Sequence, residues 1–184
     1  MDNELLLAYN IKENKKPTLK KVCAEYEIRL KEISKEEANQ KTGYLAEIEG
    51  FEENFENKEI GPDAEFILFV NTDRTKLFEI LKALKDENLF FSNKAALTEQ
   101  NKNWEFSYLV SHIEKENLIM TEFLKFKPVL EKAIEIQKEL KNEELGKIIE
   151  KSKILMSSGQ DMTDTKIKEM NEKLQNVLQK IIRQ

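Results

Sequence analysis

Lys94, Thr98, Asn101 and Trp104 are the residues whose types and spacing come closest to a site. On a strand, Lys94 and Thr98 share one face and sit about 13 Å apart. Thr98 would then stand at the carboxyl end of its strand, where open α/β sheets place their ligands. Asn10 and Asn71 end two other apolar runs and are expected at that same edge, with Asp73 close by. Together these side chains offer hydrogen-bond donors and acceptors without a general base. The chemistry they suggest is a pocket for a small polar ligand or a peptide. A structural use of the same residues is open as well. Thr98 or Asn101 would cap the next helix, Trp104 would cover the sheet end, and Lys94 would be an edge lysine that discourages aggregation.

Other chemistries are poorly served. His112 is the one histidine; with Glu116 it makes an i, i+4 pair, but no third metal ligand has suitable spacing. Cys23 lies on an apolar helical stripe with Leu19, Val22 and Tyr26, which suits a buried small hydrophobe. Neither G-x-G-x-x-G nor G-x-x-x-x-G-K occurs, nor a G-x-S-x-G elbow, so no nucleotide cofactor or acyl-transfer site is expected. The pairs Glu52-Glu53 and Glu143-Glu144 are solvated charge runs, not tuned acid–base partners. A phosphorelay receiver would need acidic residues after the first strand, where Tyr9-Asn10 stands. Neither a catalytic group, a metal nor a cofactor is expected.

The elements that must hold these residues follow from apolar patterning. Leu5-Leu6-Leu7-Ala8-Tyr9 and Phe66-Ile67-Leu68-Phe69-Val70 are continuously apolar, as strands covered on both faces must be. Glu27 to Ile33 alternates, as an edge strand does. A short strand is expected near Lys94 to Leu97. Pro17-Thr18 opens a helix to about Tyr26, and Asn71-Thr72-Asp73 opens another to about Asn88, with Leu77, Ile80, Leu81 and Leu84 inward. Ser34 and Glu37 have the spacing of a capping box. Glu52 to Gly61 reads as an acidic loop, and a helix begins at Trp104. This rhythm predicts an α/β domain over residues 1–120: a small four-stranded sheet, order 2-1-3-4, mostly parallel, with flanking helices. A flavodoxin-like sheet and a ferredoxin-like sheet both remain open, and the segment between the second and third strands decides between them.

Residues 121–184 are expected to form a C-terminal helical extension, either a helical hairpin or a short coiled coil. Pro128 should kink or restart its first helix. Ser157-Ser158-Gly159 reads as a turn, and Asp161 to Lys166 carries capping residues. Ile167, Met170, Leu174, Val177 and Ile181 recur at 3-4-3-4 spacing, a two-heptad seam able to hold a protein partner or a second copy.

Composition narrows the function classes. The net charge is −5 over 184 residues, with 40% hydrophobic and 35% charged residues of interspersed sign. Residues 1–120 hold 17 Lys/Arg against 24 Asp/Glu, and residues 121–184 hold 13 against 11. Neither part has the basic footprint of a nucleic-acid binder. The apolar residues Phe123, Leu124, Phe126, Val129 and Leu130 have balanced flanking charges, which argues against membrane binding. A single cysteine and the absence of a long apolar run place the expected address in the cytoplasm.

The run Lys94-Ala95-Ala96-Leu97-Thr98-Glu99-Gln100-Asn101-Lys102-Asn103-Trp104, with Leu5 to Asn10 and the Gly43-Tyr44-Leu45 turn, resembles an uncharacterised bacterial domain-of-unknown-function family. That family has an apolar first strand ending Tyr-Asn and a Lys-Ala-x-x-Thr-x-x-Asn-x-x-Trp signature. The resemblance covers about residues 4 to 118 and implies no activity. The sequence therefore favours a protein-interaction or scaffold protein, with a ligand-binding sensor or weak enzyme at the strand-end rim as the alternative.

Overall fold

A computed structural model describes residues 4–54, 61–157, 159 and 162–182. Parts of the expected acidic loop (residues 55–60) and of the expected turn and cap before the last helix (Ser158 and Asp161) lie outside the described residues. The chain divides into two compact units, Met1–Glu114 and Lys115–Gln184.

In the first unit, strands β1 (Leu5–Tyr9), β2 (Arg29–Ile33), β3 (Phe66–Val70) and β4 (Lys94–Ala96) form one mixed sheet in the order 2-1-3-4. β1 and β3 are central and buried at every position, as their unbroken apolar runs require. β2 pairs parallel to β1, and β4 parallel to β3. Between them, β1 and β3 run antiparallel, Leu7 facing Leu68. The order and the parallel majority are as expected, but the antiparallel central pair makes the sheet neither flavodoxin-like nor ferredoxin-like. The reason lies in the connection after β2. The helix there, α2 (Thr42–Leu45), has four residues. The chain passes back along β2 as far as Glu47, which meets Arg29, and then returns, so β3 starts at the end where β2 stops. Gly61 allows that return: a Cβ there would collide with the Tyr9 hydroxyl and Ala38. Tyr9 Oη donates to the Pro62 carbonyl at 2.6 Å beside it.

Helices α1 (Lys16–Glu25) and α3 (Arg74–Asp86) cover one face, where Leu19, Val22, Cys23, Ile80 and Leu84 meet Leu6, Ala8, Ile67 and Phe69. On the other face α2 and the start of α4 (Phe106–Leu140) put Leu45, Phe106, Leu109 and Val110 on Leu5, Leu7, Phe66 and Leu68. The Phe106 ring meets Tyr9 and Phe66 edge-on at 5.7 and 5.6 Å, the arrangement aromatic quadrupoles prefer.

The unit repeats itself. Adding 61 to the residue number carries Leu5–Tyr9 onto Phe66–Val70, Asn10 (φ 50°) onto Asn71 (φ 53°), and Glu27 (φ 51°) onto Asn88 (φ 58°). It also carries Lys15 and Glu4 onto Lys76 and Glu65. The two ion pairs are reciprocal: Lys15 with Glu65 at 2.5 Å, and Lys76 with Glu4. From β2 onward the offset becomes 64, since Leu6 pairs with Leu30 and Ile67 with Lys94. Ser34 and Glu37 become Thr98 and Asn101, and Gln40 and Thr42 become Trp104 and Phe106. Here too the bonds are exchanged: Thr42 N–H donates to the Trp104 carbonyl (2.8 Å) and Phe106 N–H to the Gln40 carbonyl (2.9 Å). A pseudo-two-fold axis thus runs through the Leu7–Leu68 pair, relating residues 4–42 to the second half of the unit.

In the second unit, α4 continues through Pro128 to Leu140, followed by α5 (Glu143–Ser157) and α6 (Asp164–Ile182). Pro128 was expected to kink or restart this helix, and it does not restart it. It removes one helix N–H, but Phe126 and Leu130 on either side are buried in the core of the unit and hold the turns in place. That core joins Phe126, Leu130 and Ala133 to Leu145 and Ile149 and to Ile167, Leu174, Val177 and Leu178, a three-helix packing. Among the described residues, no helix is long and apolar enough to cross a membrane.

Candidate functional site

The antiparallel seam separates the residues expected at one strand-end rim. Asn10 follows β1 at the end where β3 begins, and its Nδ2 donates to Asp63 Oδ1 at 3.1 Å. Asn71 follows β3 at the opposite end and is exposed. Both adopt left-handed backbone, which asparagine tolerates better than other side-chain-bearing residues. Thr98 and Asn101 lie at the Asn71 end. Lys94 begins β4 opposite Ile67, towards the Asn10 end. The single rim is thereby corrected to two, with Asn71, Thr98 and Asn101 at one end and Asn10 and Lys94 at the other.

Thr98 and Asn101 are spent on structure. Thr98 N–H donates to Asn101 Oδ1 (2.8 Å), Asn101 N–H to Thr98 Oγ1 (3.1 Å), and Asn101 Nδ2 to the Ala96 carbonyl (3.0 Å). Asn101 is 8% exposed. Ser34 and Glu37 make the same reciprocal box in the first half, at 2.8 and 3.2 Å. Asp73 caps α3, accepting from Thr75 and Lys76 N–H. The Trp104 carbonyl takes both the N–H and the Oγ1 of Thr42. Its ring packs edge-on to Tyr108 and His112 at 5.1 and 5.3 Å. His112 thus sits in an aromatic stack, and among the described residues no cluster of three His, Cys, Asp or Glu could hold a metal ion. Cys23 is buried, and that burial pushes its thiol up to about 11, so little thiolate forms near neutrality.

Residues 65–120 match the family described as Domain of unknown function (DUF3783). No curated protein and no solved structure matches the chain. The matched domain spans β3, α3, β4 and the first part of α4, which is the second half of the pseudo-symmetric unit. Residues 4–64 lie outside the match, although residues 4–42 follow the same backbone plan.

Within the matched domain the structure shows a feature that the sequence reading passed over. A groove of about 340 Å³ is lined by Phe78, Leu81, Lys82, Leu84, Lys85, Leu89, Phe90, Phe91 and Lys94. Phe78 and Phe90 stand out from it, 56% and 66% exposed. Arg74 lies over the Phe78 ring at 5.5 Å and Lys94 over the Phe90 ring at 5.0 Å. Lys94 Nζ also donates to the Phe91 carbonyl (2.9 Å), and burial lowers its pKa from the usual lysine range. The available signal was a second apolar stripe on α3, Phe78 and Leu81, beside the buried one. At the Asn10 end a second, more polar pocket of about 360 Å³ includes Asn10, Glu13, Lys16, Glu32, Lys35 and Glu37. Its charges are largely matched already: Lys16 with Glu13 and Glu32, Lys35 with Asp63.

The seam residues of α6 are placed inside the second unit. Ile167 and Leu174 are fully buried and Val177 is 4% exposed. Met170 and Ile181 pack partly buried against the same core.

Proposed function

We propose that this protein is a protein-interaction module whose working surface is the groove beside α3 and β4. The observation that carries the reading is the exposure of Phe78 and Phe90 over an apolar floor. Covering a phenylalanine side chain is worth about 2–3 kcal/mol, so two such anchors can hold a partner. Thr98 and Asn101 are engaged with each other and with the Ala96 carbonyl. A role for Ile167, Leu174 and Val177 in self-association would require α6 to leave its own core.

The test is site-specific photocrosslinking from position 90 of the full chain in its source cells, with position 20 on α1 as the control. One discrete adduct at position 90, absent at position 20 and lost with Phe78→Ser, is the expected result. Equal or no crosslinking at the two positions rejects the groove.

A small polar ligand is the second reading, favoured by the pocket around Asn10. It lies at the carboxyl ends of the parallel pair β1–β2, where α/β sheets bind ligands. Native mass spectrometry of the freshly purified chain separates the two: a co-purifying small mass lost with Asn10→Asp and Lys35→Ala supports this pocket.

A further inference from the structure

The two outer edges of the sheet are finished in opposite ways. Along β2, Lys16 and Lys20 hold Glu32, and Arg29 and Lys31 hold Glu47. Lys31 Nζ also donates to the Leu45 carbonyl (2.9 Å). Charge placed along an edge in this way deters further pairing. β4 has no such ion pair among the described residues. It pairs with β3 through the Asn93 carbonyl, which accepts from Ile67 N–H at 3.2 Å, and through Leu97 N–H, which donates to the Phe69 carbonyl at 2.8 Å. Backbone groups alternate in direction along a strand, so Lys94 and Ala96 turn theirs away from β3. Asn101 takes the Ala96 carbonyl. The Lys94 N–H and carbonyl and the Ala96 N–H face outward.

The surface beside that edge is apolar and basic. Lys94 is the ladder partner of Ile67, so both side chains point to the face covered by α3. A strand laid against β4 would present alternate side chains to this same face, where Phe78 and Phe90 stand. Lys82, Lys85 and Lys94 line the groove, and no acidic residue does, in a chain of net charge −5. A second copy pairing β4 with β4 would set these lysines against their equals. The complementary occupant is acidic.

We propose that the groove takes an extended, acidic segment of a partner protein, which adds to β4 as a fifth strand. Two apolar residues at alternate positions rest on Phe78 and Phe90, and flanking Asp or Glu side chains meet Lys82, Lys85 and Lys94. Main-chain bonds to β4 supply affinity and the two apolar positions supply selection, the usual division in strand addition. This rests on the interaction reading above and specifies its partner.

The test is selection from a random twelve-residue peptide display library on the full-length protein. The best selected peptide is then titrated by fluorescence anisotropy and examined by amide hydrogen exchange. The expected motif has apolar residues two apart with flanking acids. Its affinity should fall at least tenfold with Phe90→Ser and with Lys82→Glu/Lys85→Glu, and it should slow exchange at Lys94 and Ala96. Phe78 and Phe90 are exposed, so their replacement leaves the fold intact. Three outcomes overturn the proposal in different ways. Apolar spacing of three or four, with unchanged exchange at β4, means a helix docks: strand addition fails while the groove reading stands. Selected peptides that are basic reject the charge argument alone. Peptides whose binding ignores Phe90→Ser remove both the proposal and the groove reading beneath it.

Discussion

Residues 4–54 seal the outer edge of their half-sheet with ion pairs, whereas the second half leaves its edge without them, beside an apolar and basic groove. The backbone plan is otherwise shared: a buried central strand, a left-handed asparagine, a helix, an edge strand and a reciprocal turn box. At the position of Phe78 the first half carries Pro17, and Phe90 falls in the three residues by which the second half is longer between its helix and its edge strand. The comparison separates what the architecture needs from what it permits. Leu7 and Leu68, the Lys15–Glu65 and Lys76–Glu4 pairs and the two boxes recur because the pseudo-axis demands them. The exposed phenylalanines recur nowhere in the first half, so the architecture does not need them.

The largest expected effect tests the seam. Leu7→Ala and Leu68→Ala, both fully buried, should each cost about 3 kcal/mol. Urea unfolding checks this, and sharply unequal losses would break the symmetry. Next come the boxes. Asn101→Ala removes two bonds, the one from Thr98 N–H and the one to the Ala96 carbonyl, and should cost about 1–2 kcal/mol. Glu37→Ala, on an exposed box, should cost about half of that. Equal losses in thermal melts would mean the Asn101–Ala96 bond adds nothing.

A smaller effect is electrostatic. Burial works to raise the Glu65 pKa, but the hydrogen bonds from Lys15 and from Lys12 N–H outweigh it, and the net shift is downward from 4.5. A carboxylate with a lowered folded pKa contributes stability above its unfolded value and loses it as pH falls through the folded one. Unfolding midpoints should therefore drop on acidification below about pH 5, and Glu65→Gln should flatten that slope. Smallest of all, Phe90→Ser should change stability by less than about 0.5 kcal/mol. A greater loss would make Phe90 a structural residue and weaken its role as a docking anchor.

Much of this fold was legible. The unbroken apolar runs marked β1 and β3 as central, alternation marked β2 as an edge, and Ser34/Glu37 announced its box. The direction of β3 was not legible, because the helix after β2, Thr42–Leu45, is too short to leave an apolar stripe that shows which way the chain runs. That one reversal dispersed the expected rim. The repeat was hidden because its two halves preserve side-chain size more than identity. Its offset also slips from 61 to 64 between helix and turn, which defeats any fixed-spacing comparison. Phe78 escaped notice because it sits off the stripe formed by Ile80 and Leu84.

The seam also sets the order in which this unit should assemble. Each parallel pair joins strands linked by one short helix, whereas Leu7 must find Leu68 across most of the unit's length. Closing the longer loop costs more chain entropy before any contact rewards it. The two βαβ halves should therefore be structured in the rate-limiting state, with the central pairing completed after it. Leu7→Ala and Leu68→Ala would then speed unfolding and leave the refolding rate almost unchanged.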